Sequence, residues 1–441
     1  MTAPGPRGWQ PDAFVDHVMD VVAELNRRHD RRLVLRACVD LPDDWTAADS
    51  GIVPRVAWRP PHGRQSEALG LARQCPVTAL RWQDDAPHPD DLQAMQAWIA
   101  QYQLLADALL ACSFPEQRGG EIVVPLQLWL PRLWVTTLPD GRVEVSLVLL
   151  GEDDPEAVSA ELRVLLAAIQ PHQRSVAPLQ FVDRTEPRHL EAVGQLVAAM
   201  RAGEAHKVVW SRMRAVPGTW LRSTLAGRMR AARPEAWTVD VQLADGQNFL
   251  CATPELLVAC EGEEIATMAL AGTGSRAQLT AEDARLGDEH GRVRDFVLQR
   301  LTALGVEAPN LQTDIANAGP LAHRRTQIRG RRGANVDALT VALTLHPTPA
   351  LLGLPRKEAL ALLADKEPPR GLYGGCLGRL ACDGSGTGEV VVLLRGVMAT
   401  PDGWQARAGA GLVPDSVPAD EVAEIAQKLA AIGQSLAAEA P

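Results

Sequence analysis

The sequence predicts a mixed α+β fold, largely antiparallel sheets packed with flanking helices. Three observations predict it. Short apolar runs are joined by tight turns, as where WTVDVQL meets FLCATPELLVAC through ADG, and FLCATPELLVAC meets IATMALAGT through EGEE. Helical periodicities stand between groups of strands rather than after each strand, which argues against a regular βαβ alternation. No repeat of fixed period and no low-complexity tract breaks the pattern.

Taken in order, Phe14, Val15, Val18, Met19, Val22 and Leu25 recur at helical spacing within 12–30. Residues 40–64 carry several prolines and read as irregular, and 93–112 reads as a second helix. From Glu121 to Leu150 the runs EIVVPLQLWL and VEVSLVLL, with the turn PDG between them, read as an antiparallel hairpin. HLEAVGQLVAAMRAG reads as an amphipathic helix ending near Gly203, ahead of the strand KVVWSR. A helix near 219–233 leads into the turn-linked strands. Later come a helix near 281–303, a basic loop HRRTQIRGRRG, strands around 389–398 and 404–408, and a helix over 418–438. The proline-bearing segment 170–188 is the candidate boundary, dividing 1–186 from 187–438.

At 441 residues the chain can hold one large domain or two to three ordinary ones. Its net charge of −10, from 44 basic and 54 acidic residues, argues against a polyanion binder, so nucleic acid is not an expected partner. Seven cysteines, at 38, 75, 112, 251, 260, 376 and 382, form no C-x-x-C pair and suit a reducing compartment. The proline-broken N terminus lacks the apolar stretch of a signal peptide, and no apolar run approaches the roughly 20 residues needed to cross a bilayer. A cytoplasmic protein is expected, with no membrane partner; monomer and homodimer are both open.

Several residues are placed where chemistry is possible, each beside a plainer reading. Glu421, Glu424 and Lys428 fall at i, i+3 and i+7 and share a helix face, which serves a solvated charged surface as well as a site. Gly409 and Gly411 in RAGAGLV stand between a strand and that helix, where bare backbone lets an anion approach closely. Glu289, near Asp283 and Asp288, is an ordinary surface carboxylate unless paired in space with Glu424, when the two offer hard oxygen donors suited to Mg²⁺. His290 and His346 lack zinc-site spacing, and zinc is rejected. Lys207 opens a strand beside apolar residues, Glu255 follows a proline turn in ATPELL, and Arg395 ends EVVVLLR. Buried, these would be a base, an acid and a carboxylate clamp; exposed, they would be ordinary strand-end charges.

Read together, the blocks KVVWSR, ATPELL, ALAGT, DEH, LHPTPALLGLP, RGLYGG, VVVLLRG, RAGAGLV and EVAEIAQK resemble the chorismate-utilising enzymes, over roughly 187–438. That family includes isochorismate synthases, salicylate synthases and the synthase subunits for anthranilate and aminodeoxychorismate. The resemblance implies the chorismate-binding fold, with chorismate as substrate and Mg²⁺ as cofactor. It implies that Lys207 activates water for attack at C2, that Glu255 protonates the departing C4 hydroxyl, and that Glu289 and Glu424 hold Mg²⁺ with Glu421 in the outer shell. Arg395, Tyr373, Lys428, Gly409 and Gly411 would hold the enolpyruvyl carboxylate, and Thr273 and His323 would line the ring side. The segment around His346 and the Leu270 of ALAGT are similar to isochorismate synthases rather than to aminating enzymes. Menaquinone biosynthesis is the default route for the product, with a catechol siderophore or salicylate as alternatives, and a salicylate synthase or a non-catalytic chorismate-binding protein is the rival reading. Leu286, Cys376 and Arg379 depart from the family pattern and place metal affinity and efficiency in question.

Overall fold

The computed structural model of the protein describes Val15, Val18, residues 32–39 and 45–437, apart from 62, 84, 103–105, 151–152, 172–185, 219, 282–283 and 319–320. Two antiparallel sheets, of eleven and twelve strands among the described residues, organise these segments. The first runs from Arg32–Val39 through Arg55–Arg59, Trp237–Gln242 and Asn248–Thr253 to Gly403–Leu412, Lys207–Val216 and Gly353–Leu354. The second runs from Glu307–Ala318 through Leu321–Arg331, Glu264–Gly274, Leu256–Glu261, Gly388–Val392, Cys376–Ala381 and Asp107–Cys112 to Glu121–Leu130. Strands from either side of residue 186 share both sheets: Arg55–Arg59 pairs with Trp237–Gln242, and Asp107–Cys112 with Cys376–Ala381.

Between the sheets lies a core drawn from both, including Trp58, Val239 and Phe249 of the first and Leu109, Trp129 and Val391 of the second. The outer face of the first sheet is covered by Pro155–Ala167 at one end and by Pro187–Arg201, Arg222–Ala232, Arg356–Leu363 and Pro418–Ala437 at the other. That of the second is covered by Pro89–Tyr102, Ala284–Ala303 and Ala338–Leu345. Central strands thus lose water on both faces, and this explains where sequence periodicity misleads.

Residues 93–112 divide into the helix Pro89–Tyr102 and the strand Asp107–Cys112. DALLAC is an unbroken apolar run because the strand is buried on both faces, and such a run cannot be told from buried helix by periodicity. The turn PDG joins Leu133–Thr137 to Val143–Leu150, while Glu121–Leu130 belongs to the other sheet, so the expected hairpin is displaced by one strand. HRRTQIRGRRG lies mostly in the strand Leu321–Arg331, whose Thr326 and Ile328 point inward while Arg325 and Arg331 pair outside with Asp314 and Glu263. Charge disguised an ordinary alternating strand. Within 40–64 a strand forms at Arg55–Arg59. The expected helix over 12–30 lies outside the described residues except for Val15 and Val18, both buried.

One feature of the topology positions the candidate site. The chain passes from the first sheet to the second between Thr253 and Leu256, and back from the second to the first between Val392 and Gly396. The two crossings run side by side: Leu250 pairs with Val397 before the first, and Leu256 with Val391 after it. Glu255 and Arg395 are the charged residues of these crossings.

Candidate functional site

Where the paired crossings part, a cavity of about 770 Å³ opens, lined by Glu255, Thr273, Glu289, His323, Tyr373, Arg395, Gly409, Gly411 and Lys428 among others. Nine of the twelve residues singled out from the sequence therefore face one space. Lys207 stands just behind its wall, fully buried, and Nζ donates to Glu289 Oε1 at 2.9 Å. Glu424 pairs with Lys428 at 2.7 Å, and Lys428 Nζ also donates to the Gly409 carbonyl at 2.9 Å. Glu421 is turned inward, buried, and accepts from Ser416 Oγ at 2.7 Å.

Gly409 and Gly411 lie within the strand Gly403–Leu412, not between it and the helix as the sequence suggested. Their lack of side chains is still what the site uses. A Cβ on Gly411 would sit 2.4 Å from Glu289 Oε1 and 3.0 Å from Lys207 Cε, so any larger residue would fill the space that brings those groups together. A Cβ on Gly409 would meet the Trp210 carbonyl at 2.8 Å and the Tyr373 hydroxyl at 3.3 Å. Gly272, at φ +72° with the Leu286 carbonyl 2.6 Å from where its Cβ would be, carries a bulge between Ala271 and Thr273. That irregularity aims Thr273 into the cavity, a use bulges commonly have beside sites.

Arg395 does not end an unbroken strand EVVVLLR: the strand stops at Val392, and Arg395 takes φ +57° in the crossing. A non-glycine residue in the left-handed region is strained, and such strain collects at functional positions. Its Nη2 donates to His323 Nε2 at 2.5 Å, and His323 Nδ1 is 2.9 Å from Thr273 Oγ1. Burial, reinforced by Arg395 and Lys428, holds the His323 pKa well below 6.5, so the ring is neutral. A neutral ring that accepts at Nε2 carries its proton on Nδ1 and donates to Thr273.

Glu255 is 4% exposed, and burial pushes its carboxyl up to about 7 against the pull of Arg395 and Lys207. A carboxyl of that pKa keeps its proton near neutrality and can donate it, as an acid catalyst must. Glu289 and Glu424 are 13% and 17% exposed, each spending one oxygen on a lysine, and no cluster of three or more metal-ligating side chains exists among the described residues. Two open carboxylates fit Mg²⁺, which takes one or two protein carboxylates and completes its shell with water and substrate oxygens.

Beneath Tyr373 the sequence reading missed a second layer. Glu367 accepts from Ser211 N and Oγ at 2.8 and 2.7 Å, and pairs with Arg370, while Arg407 donates to Ser211 Oγ at 3.0 Å and stacks 5.5 Å from the Tyr373 ring. Arg370 and Arg407 both line the cavity. Arginines beside glycines, in the turn RGLYGG and on the otherwise apolar strand QARAGAG, were the available signal. The departures at 286, 376 and 379 have structural settings: Leu286 packs with Leu279 and Ala322, Cys376 is buried opposite Cys112, and Arg379 pairs with Asp107 and stacks 4.5 Å from Trp134.

Fold and cavity together define a mixed α+β protein with one charged pocket, arginines and a lysine on one hand and carboxylates on the other. The chain belongs to the chorismate-binding enzyme family, whose model matches residues 100–437. It is 33% identical to the isochorismate synthase EntC of Escherichia coli over 257 residues, 54% of this chain and 64% of that protein. It is 33% identical to the salicylate-biosynthesis isochorismate synthase of Pseudomonas aeruginosa over 69% of this chain and 68% of that one, and 31% identical to anthranilate synthase component 1 of Streptomyces coelicolor over 55% and 50%. The match thus spans about half to two thirds of these relatives. The solved structure of MenF, the menaquinone-specific isochorismate synthase of E. coli, shares the fold at a TM-score of 0.71 and 20% identity, over 95% of this chain and 99% of that chain. No helix of the described residues is long and apolar enough to cross a membrane.

Proposed function

We propose that the protein is a Mg²⁺-dependent isochorismate synthase. The observation that carries the reading is Glu255, a buried acid with a pKa of about 7 that faces the same cavity as the carboxylate partner of the buried Lys207. In this reading Lys207 removes a proton from water as its oxygen bonds to C2 of chorismate. The ring double bond shifts, the C4–O bond breaks, and Glu255 delivers a proton to the departing hydroxyl, which leaves as water. Arg395, held by His323, and Lys428 with the bare backbone at Gly409 and Gly411 bind the enolpyruvyl carboxylate. Glu289 and Glu424 are the residues to hold Mg²⁺, which supplies positive charge to the ring carboxylate when bound. Thr273 lines the ring side. Similarity to two isochorismate synthases at 33% identity supports water rather than ammonia as nucleophile. We assign the reaction to the cytoplasm and its product to menaquinone biosynthesis.

The test is product analysis by chromatography and mass spectrometry after incubation with chorismate and Mg²⁺, with and without EDTA. An isomer of unchanged mass that disappears with EDTA is expected. Pyruvate with salicylate would transfer the assignment to a salicylate synthase, and no turnover would leave a chorismate-binding protein without catalysis.

A further inference from the structure

Arg395 does not belong to the catalytic cavity alone. With Pro254 it also lines a second cavity of about 430 Å³, bounded by Arg233 at the end of the helix Arg222–Ala232 and by Ala431, Ile432 and Ser435. Those last three continue, turn by turn, the side of the C-terminal helix that carries Glu424 and Lys428. One helix face therefore serves both spaces, with the charged Lys428 in the inner one and uncharged side chains in the outer one.

The charge balance of this outer cavity is unusual. Two guanidinium groups face it; burial disfavours the Arg395 cation and Arg233 repels it, against the pull of Tyr373, Glu424 and Glu255. The carboxylate on its wall, Glu235, lies 3.9 Å from Arg233 and is 56% exposed, a loose contact that leaves most of the fork free. Arg395 in turn donates to the neutral ring of His323 rather than to an anion. Two planar cations beside an apolar wall are arranged to take a carboxylate between them, since an anion there relieves their repulsion and meets bidentate donors.

We propose that this cavity is an outer carboxylate subsite, in which Arg233 and Arg395 receive one carboxylate of the incoming substrate before it passes to the inner pocket. The proposal rests on the chorismate reading above. Arg233 then sets the rate of capture and the preference for dianionic substrates, and Arg395, common to both cavities, hands the carboxylate inward.

The experiment measures association of chorismate with the full chain by stopped-flow tryptophan fluorescence across a range of ionic strength. In Arg233→Gln the association rate constant is expected to fall roughly three- to tenfold at low salt, with a flatter salt dependence, because steering by a cation is lost. Arg233→Lys should keep most of the salt dependence, which a purely structural role would not predict. Ala431→Phe fills the cavity while leaving both arginines, and should slow association without flattening its dependence on salt. Wild-type rates and salt dependence in both Arg233→Gln and Ala431→Phe would overturn the subsite while leaving the isochorismate reading intact. Failure of the wild-type protein to bind chorismate would sink both.

Discussion

Two of the buried charge clusters among the described residues are built to opposite rules. In one, Arg55 donates to Glu67 at 2.9 Å and to Asp240 at 2.5 Å, and Arg222 donates to the other oxygen of Asp240 at 2.5 Å and to Asn248 at 2.9 Å. Thr46, Gln65 and the amide of Ala47 complete Glu67. Although burial opposes its charge, Arg222 and Arg55 hold the Asp240 carboxyl below its ordinary value. The network is closed: its carboxylates are fully spent within the fold. In the other cluster, around the paired crossings, Glu255 accepts no side-chain hydrogen bond among the described residues, Glu289 and Glu424 each spend one oxygen on a lysine, and Arg395 has a neutral partner. A closed network ties strands together, here Arg55–Arg59 to Trp237–Gln242 across the two ends of the sequence. An open one holds charges out of water without satisfying them, and so keeps them available for a ligand.

Variants can break this contrast in order of expected effect. Lys207→Ala and Glu255→Ala should each cut isochorismate formation by roughly 10²–10⁴-fold, the usual worth of a proton-transfer group, in protein that remains folded. Near-normal turnover in either variant would remove that residue from the mechanism. Asp240→Ala should do the reverse: stripping the shared partner from Arg55 and Arg222 costs about 3–5 kcal/mol of stability, seen by denaturant titration, and activity is lost only as the fold is lost. If Asp240→Ala unfolds at the wild-type denaturant concentration, the closed network is not structural.

Milder changes sharpen it. Glu424→Gln deletes one anionic donor and should raise the Mg²⁺ concentration for half-maximal activity by about tenfold or more, so an unchanged Mg²⁺ titration would exclude Glu424 as a ligand. The smallest effect is on pH. Because the Glu255 carboxyl is raised to about 7, its protonated form is present below that pH and is lost above it. kcat/KM should therefore decline on the alkaline side with an inflection near 7, and an alkaline limb first appearing some two pH units higher would assign the acid elsewhere.

Much of the site was legible because the blocks that form it are short and local. KVVWSR, ATPELL and RAGAGLV each carry their key residue in a fixed relation to a strand end, and the strand order then brings Lys207, Glu255, Gly409 and Gly411 together. What was not legible is long-range. Nothing near DALLAC announces that Asp107–Cys112 will pair with Cys376–Ala381, more than 260 positions away, and a strand buried on both faces offers no alternation to reveal it. Arg370 and Arg407 escape for a similar reason: Arg370 donates to the distant carbonyls of Leu351 and Val209, and Arg407 reaches Ser211, Glu367 and the carbonyls of Pro368 and Pro369, groups that converge only in three dimensions.

The interleaving of the two ends of the sequence bears on how the protein can be cut. A fragment beginning at residue 187 would keep Lys207, Glu255, Glu289 and Glu424, yet it would uncover the side of Trp237–Gln242 that bonds Arg55–Arg59 and the side of Cys376–Ala381 that bonds Asp107–Cys112. Each is an apolar strand flank with unpaired amides, the kind of surface on which chains add to one another. The first third thus acts as a permanent cover for two sticky edges, and a site whose lining it does not supply depends on it for solubility.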